Sequence, residues 1–256
     1  MVGINWIGLY TFIRREVERT FRVSVQTILS PLISAALYIF IFGFVLGQRI
    51  ELIAGVPYIT FVFPGILVMN VITSAFSSSS SALYFGRFIR SIEEMLVSPF
   101  SYFEMLVGLV VSAVARAVLV GIGILIIGIL FGAVTIAHFW LFLFYSAAVA
   151  TIFALIGILV GLWAKGFEQL NVLNTFVIMP FTFLGGMFYS VSFLPETVRA
   201  IVFANPFFYF IDSIRYTMIG VHESNLAIGA TLIVGLVVVL GILVWYLFKI
   251  GWRLRS

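Results

Sequence analysis

The residues able to do chemistry in this chain are few, and their spacing excludes most of it. The two lysines, Lys165 and Lys249, follow Ala164 and Phe248 rather than glycine, so no G-x-x-x-x-G-K-[ST] loop exists to cradle nucleotide phosphates. His138 and His222 are the only histidines and neither begins an H-E-x-x-H pair, which excludes that zinc-protease motif. Cysteine is absent, removing disulfides, thiolate metal sites and thiol nucleophiles. No serine has glycine two residues before it, so a G-x-S-x-G nucleophile elbow is excluded. On this reading the chain carries no catalytic, cofactor-binding or metal-ligating residues. It is not an enzyme, and its energy must come from another subunit.

What remains is polar residues set among apolar ones, in three groups. In the segment 82–105, Phe88 or Ile89, Ile92 and Leu96 recur at helical spacing, Arg90 and Glu94 stand four apart, and Ser98-Pro99 ends the pattern. Such a helix can press an apolar edge into a groove of a cytosolic protein while its charges set the register. It can equally lie against the bilayer or its neighbours. A second group places Asn70, Thr73, Ser74, Ser77 and Ser81 near one face of a helix, and Asn171, Asn174, Thr175 and Thr182 on another, with Pro180 between. These stripes suit a route for an amphipathic substrate, but small and hydroxylated residues also make ordinary helix–helix contacts in lipid. The third group is the segment 184–223. Its Gly185-Gly186 pair, Pro195, Glu196, Arg199, Asn205-Pro206, Asp212 and Arg215 suggest short helices that turn back. They would form an external gate or a lid that closes the bundle.

The elements that must position these residues follow from composition. Only 9% of the 256 residues are charged, 63% are hydrophobic, and the mean hydropathy is +1.23. Soluble domains carry ~25% charged residues, so this chain must be solvated by lipid. Six long runs lack Asp, Glu, Lys, Arg and His, and they predict spans near 25–47, 58–80, 112–134, 139–163, 170–190 and 226–248. None of these spans contains a carboxylate, which counts against a carrier driven by protons or ions. Residues 200–211 are too few to cross and read as re-entrant or interfacial.

Basic residues orient the array. Arg14, Arg15, Arg19, Arg22, Arg87, Arg90, Arg116, Lys165, Lys249, Arg253 and Arg255 fall on one side, and Arg49, Arg199 and Arg215 on the other. The richer side is expected to be cytoplasmic, with both termini there. Arg116 is expected to snorkel from the foot of the third span. Residues 5–22 place Trp6, Leu9, Tyr10, Ile13, Val17 and Phe21 on one stripe of a helix lying in the headgroup plane, as an anchor or a partner contact. The predicted class is an all-α integral membrane protein in one domain, 1–256. It has six transmembrane helices, an N-terminal amphipathic interfacial helix and a re-entrant external helical hairpin before the last span.

The order of signatures resembles the permease subunit of a bacterial type-2 ABC exporter. These are the amphipathic start, FVFPG at 61–65, FGRFIRSIEEMLVSP at 85–99, FLGGMFYSVSFLP at 183–195, ANPFFYFIDSIRY at 204–216 and a short basic tail. The resemblance implies a half-transporter of the bacterial inner membrane. Two copies would pair, most simply as a homodimer, and bind two cytosolic ATP-binding cassette subunits that carry the ATP and Mg. It implies no nucleic-acid partner. It assigns ATPase coupling to Arg87, Phe88, Arg90, Ile92, Glu93, Glu94 and Leu96. It allows a translocation path past Asn70, Ser74, Ser77, Asn174 and Thr182. It matches Pro195, Arg199, Asn205, Pro206, Tyr209 and Arg215 to an external gate. The implied cargo is an amphipathic compound, drug-like, lipid or glycan. A polysaccharide-specific permease, an ion- or proton-coupled carrier acting alone and a membrane scaffold are the competing readings.

Overall fold

The computed structural model describes residues 5–47, 49–50, 52–92 and 101–254. Helix α1 spans Trp6–Arg22, and α2 spans Val25–Leu46. A two-residue hairpin, β1 (Leu52–Ile53) with β2 (Val56–Pro57), pairs Leu52 with Pro57 and Ile53 with Val56. Its turn residues Ala54 and Gly55 both have positive φ, as a tight hairpin requires. Then follow α3 (Tyr58–Phe88), α4 (Tyr102–Leu130) and α5 (Phe139–Trp163). Next, α6 (Phe167–Leu173) passes through a π-helical turn at Asn174–Ile178 into α7 (Met179–Leu184). After a short 3-10 turn at Val191–Phe193 come α8 (Glu196–Ala204), α9 (Pro206–Ile219) and α10 (Leu226–Lys249).

Five of these helices, α2, α3, α4, α5 and α10, are long and apolar enough to cross a membrane. The all-α membrane class expected from composition is what the chain forms. The segment expected as a span at 170–190 is different. Its helical run begins at Phe167 and stops at Leu184, because Gly186 takes a left-handed conformation (φ +75°). Glu168, Gln169, Asn171 and Asn174 make its first half polar.

Two helices overrun their expected limits, and in each case a charge is satisfied locally. Helix α3 continues past 80 to Phe88 because Arg87 turns its guanidinium onto carbonyls at the end of α5. Helix α4 begins at Tyr102 rather than 112 because Glu104 closes a capping box with Ser101. Counting uncharged runs misses both extensions, and it also misses that a carboxylate sits in the first turn of α4.

Helix α3 is the central element, packed against α4, α5 and α9 and enclosed over most of its length. In lipid there is no hydrophobic drive between apolar helices, so close van der Waals contact must hold them. The α3–α5 seam meets that demand with small residues. A Cβ on Gly157 would lie 2.1 Å from Ser79 Oγ and 2.5 Å from the Phe76 carbonyl oxygen, and one on Gly161 would lie 2.9 Å from the Ser80 carbonyl oxygen. Ser78, Ser79 and Ser80 are buried in this seam. Much of the serine run is therefore packing material.

Candidate functional site

Among the described residues, the end of the bundle that carries α1 holds most of the cations without an ion pair. Helix α1 runs beside α4: the Asn5 N–H donates to Glu104 Oε1, and Phe12 and Leu9 close on Gly108. Asn5 also caps its own helix, its Oδ1 accepting from the Gly8 N–H at 2.9 Å. The face of α1 turned inward is Leu9, Phe12, Glu16 and Thr20. This corrects the expected stripe in one respect. Trp6 and Tyr10 are 69% and 65% exposed, and Phe21 is exposed too, so α1 has a second apolar face turned away from the bundle. That free face is the one an interfacial helix offers to lipid or to a partner.

Glu16 holds Arg19 at 2.9 Å, and Arg14 bonds Glu18 at 2.8 Å, which raises the Arg14 guanidinium above its ordinary pKa. A groove of about 320 Å³ lies between α1, α4 and the end of α3. Arg15, Arg19, Ile89, Ile92 and Met105 are among the residues lining it.

The elbow after α3 departs from the expected continuous helix. Arg90 adopts φ +58°, so Phe88 ends one helix and Ser91 and Ile92 begin a new turn. Of the coupling residues, Phe88 is exposed and packs its ring with Tyr84 and Phe167, while Ile92 is buried beside α1 and α4. Arg87 Nη1 donates to the carbonyls of Gly161 (2.8 Å), Leu162 (2.9 Å) and Ala164 (3.3 Å), which ties α3 to the end of α5. Glu93, Glu94 and Leu96 lie outside the described residues. Arg116 sits well inside α4 rather than at its foot, and its Nε is buried without a hydrogen-bond partner.

The path candidates divide. Asn70 donates to the Ile66 carbonyl at 2.8 Å and Thr182 to the Ile178 carbonyl at 2.7 Å, and both are buried within the chain. Ser74 is buried with an unpartnered hydroxyl. Ser77 and Asn174 are only half-buried, and Asn171 and Thr175 beside Asn174 are exposed. The polar residues that face outward therefore cluster on α6 and its π turn.

At the opposite end the gate candidates form one tightly bonded unit. Pro195 stands at the N-cap of α8. Arg199 Nη2 donates to the carbonyls of Ser192 (3.1 Å) and Leu194 (3.3 Å), and Tyr209 donates to the Phe203 carbonyl at 3.1 Å. Asn205 caps α9 through the Phe207 N–H at 3.0 Å and donates to the Phe181 carbonyl at 2.7 Å, with Pro206 at the first helical position.

Arg215 is 0% exposed and lies 4.0 Å over the Phe61 ring. It donates to the Gly186 carbonyl at 2.6 Å. Its ion pair is with Glu223, at 3.6 Å. Asp212 accepts from the backbone N–H groups of Glu223 and Ser224, each at 2.9 Å. Glu223 also accepts from the Ser190 hydroxyl and from the Val191 N–H at 3.2 Å. Glu223 went unread because nothing in its local spacing announces a partner on α9. The GILVG pentad at 157–161 was legible, since two glycines four apart are a known close-packing signal in membrane helices.

Four likenesses to known proteins bear on identity. The family model for the ABC-2 type transporter matches residues 8–219. The inner membrane transport permease YadH of Escherichia coli K12 is 35% identical over 257 residues, covering 100% of both chains. Nodulation protein J of Rhizobium leguminosarum bv. viciae is 30% identical over 232 residues, covering 88% of this chain and 86% of that one. Nodulation protein J of Rhizobium meliloti is 28% identical over 223 residues, with 85% and 82% covered. With a membrane helical bundle and a match across most of its length, this chain belongs to the ABC-2 type transporter family.

Proposed function

We propose that this chain is the membrane-spanning half of an ATP-driven exporter in a bacterial inner membrane, with six crossings and its basic end in the cytoplasm. The observation that carries the reading is the full-length likeness to an inner membrane transport permease. The α6–α7 run supplies the sixth crossing, and α8–α9 form the external hairpin. A second copy docks against the exposed faces of α2 and α6. The exposed Asn171 and Thr175, with the half-buried Asn174 between them, then border a path for an amphipathic cargo. Two ATP-binding subunits, which hold ATP and Mg, meet the groove beside α1 and the elbow at Phe88–Ile92. The buried Ile92 carries their motion into α1 and α4.

The test is co-expression with an ATP-binding subunit encoded beside this chain. The two proteins co-purify, and substrate-stimulated ATP hydrolysis falls at least tenfold when Arg90→Glu is combined with Glu94→Arg. If no nucleotide-binding protein accompanies the chain, or hydrolysis is unchanged in that variant, the coupling assignment fails. Transport by the purified chain alone under a proton gradient would instead support the carrier reading.

A further inference from the structure

A second cavity at the basic end shares Phe88 and Arg90 with the elbow named above, but that reading gives it no ligand. It measures about 370 Å³ and is lined by Tyr84, Arg87, Phe88, Arg90, Ala164 and Lys165. It lies where α3 and α5, both of membrane-crossing length, come to their ends. Three cations and no carboxylate line it, among the described residues. A fourth cation stands close by, since Arg253 Nη1 donates to the Trp163 carbonyl at 3.2 Å.

Gathering like charges without counter-ions is unfavourable, and here it is only partly offset. Arg87 and Arg253 are engaged by carbonyls at the end of α5, although the buried Arg87 Nε has no acceptor. Arg90 and Lys165 are different. Neither side chain makes a hydrogen bond or ion pair among the described residues, and Arg90 is held at φ +58°, a strained conformation for a residue with a Cβ. The surroundings are those of a membrane interface. Trp163 is half-exposed, Lys249 stacks on Trp245 at 5.2 Å, and Arg253 stacks on Trp252 at 4.9 Å.

We propose that this pocket binds the phosphate of an anionic membrane lipid, with Arg90 and Lys165 as its principal ligands. A guanidinium and an ammonium together match a phosphodiester in charge and in hydrogen-bond donors. The Tyr84 and Phe88 rings form an apolar wall for the glycerol and upper acyl groups. A basic pocket between helices at this depth is where anionic headgroups are retained. The inference needs only that α3 and α5 cross a membrane, so it stands or falls separately from the export reading.

The experiment is native mass spectrometry of the full-length chain. It is released from nanodiscs of phosphatidylglycerol or of phosphatidylcholine with the same acyl chains. The expected result is retention of phosphatidylglycerol over phosphatidylcholine. Retention falls about tenfold in the double variant Arg90→Gln with Lys165→Gln, is kept in Arg90→Lys with Lys165→Arg, and is unchanged by Arg49→Gln at the other end. Unaltered melting of the double variant shows that it folds. Equal retention of both lipids, or full retention by the double variant, overturns the proposal. So does displacement by millimolar inorganic phosphate, which would mark a site for soluble anions. Protection of Lys165 from amine labelling by the ATP-binding subunit but not by phosphatidylglycerol would assign the pocket to a protein contact instead.

Discussion

The two ends of the bundle handle charge in opposite ways. At the end built from α8 and α9, Arg215, Asp212, Glu223 and Arg199 each have a bonded partner, drawn from four separate stretches of chain, although Arg199 Nε, Arg215 Nε and Arg215 Nη1 are buried without a hydrogen-bond acceptor. At the basic end, Arg90 and Lys165 line a cavity without a hydrogen bond or ion pair among the described residues, and Trp6 and Tyr10 lie open. A buried network held by many bonds favours one arrangement, whereas cations and rings left open await something else. One end is built to hold its shape, and the other to be completed.

The sharpest way to break that contrast is to unpair the buried arginine. Glu223→Ala leaves Arg215 without an ionic partner at full burial, which should cost about 3–5 kcal/mol. Thermal melting in detergent should show a large drop, while Arg90→Gln leaves the melt unchanged. Equal losses would mean that the two ends are not differently built. Next in size is the seam that joins them. Gly157→Val drives a side chain into the Phe76 carbonyl and should destabilise by about 1–3 kcal/mol or more. Gly235→Val, where nothing lies within 4 Å, serves as the neutral control in the same melt. The smallest effect is expected at α1. Glu104→Ala removes the acceptor shared by Asn5 and Ser101, a loss of about 1–2 kcal/mol felt locally. Limited proteolysis should cut within 6–22 sooner, with the melting of the bundle little changed.

Apolar run lengths located the five longest helices, because covering hydrocarbon thickness is a demand that composition alone must meet. Helix α5 matches its expected limits of 139–163. The misreadings share one cause, which is that spacing along a chain does not see partners brought by the fold. The expected spans stop at 80 and begin again at 112, yet Arg87 and Glu104, outside those limits, are accommodated within helices by carbonyls or by a cap. Asp212 and Arg215 were read only as signs of a short helix, and the ion pair of Arg215 with Glu223, beyond the end of α9, was not seen. Of the expected apolar stripe of α1, Trp6, Tyr10 and Phe21 face outward while Leu9 is buried. The inward face of α1 mixes Leu9 and Phe12 with Glu16 and Thr20, and so carries no clean periodic signal. Of the site candidates, the hairpin group was the most legible, since Asn-Pro at a helix start has a fixed local meaning.

The π-helical turns have a consequence for motion. Among the described residues they occur only in α2, at Val25–Leu29 and Ile41–Leu46, and between α6 and α7, at Asn174–Ile178. In each of two, a backbone N–H reaches back five residues, from Ser30 to Val25 and from Met179 to Asn174. One surplus residue in a turn rotates everything beyond it by about 100° relative to an ordinary helix. Such a turn can also pass along its helix one residue at a time, trading one carbonyl for the next. Each step would swivel the residues it crosses while the ends of the helix stay in place. Helix α2, the least enclosed of the five membrane-length helices, and the α6–α7 run thus hold a built-in gear, and the enclosed α3 has none.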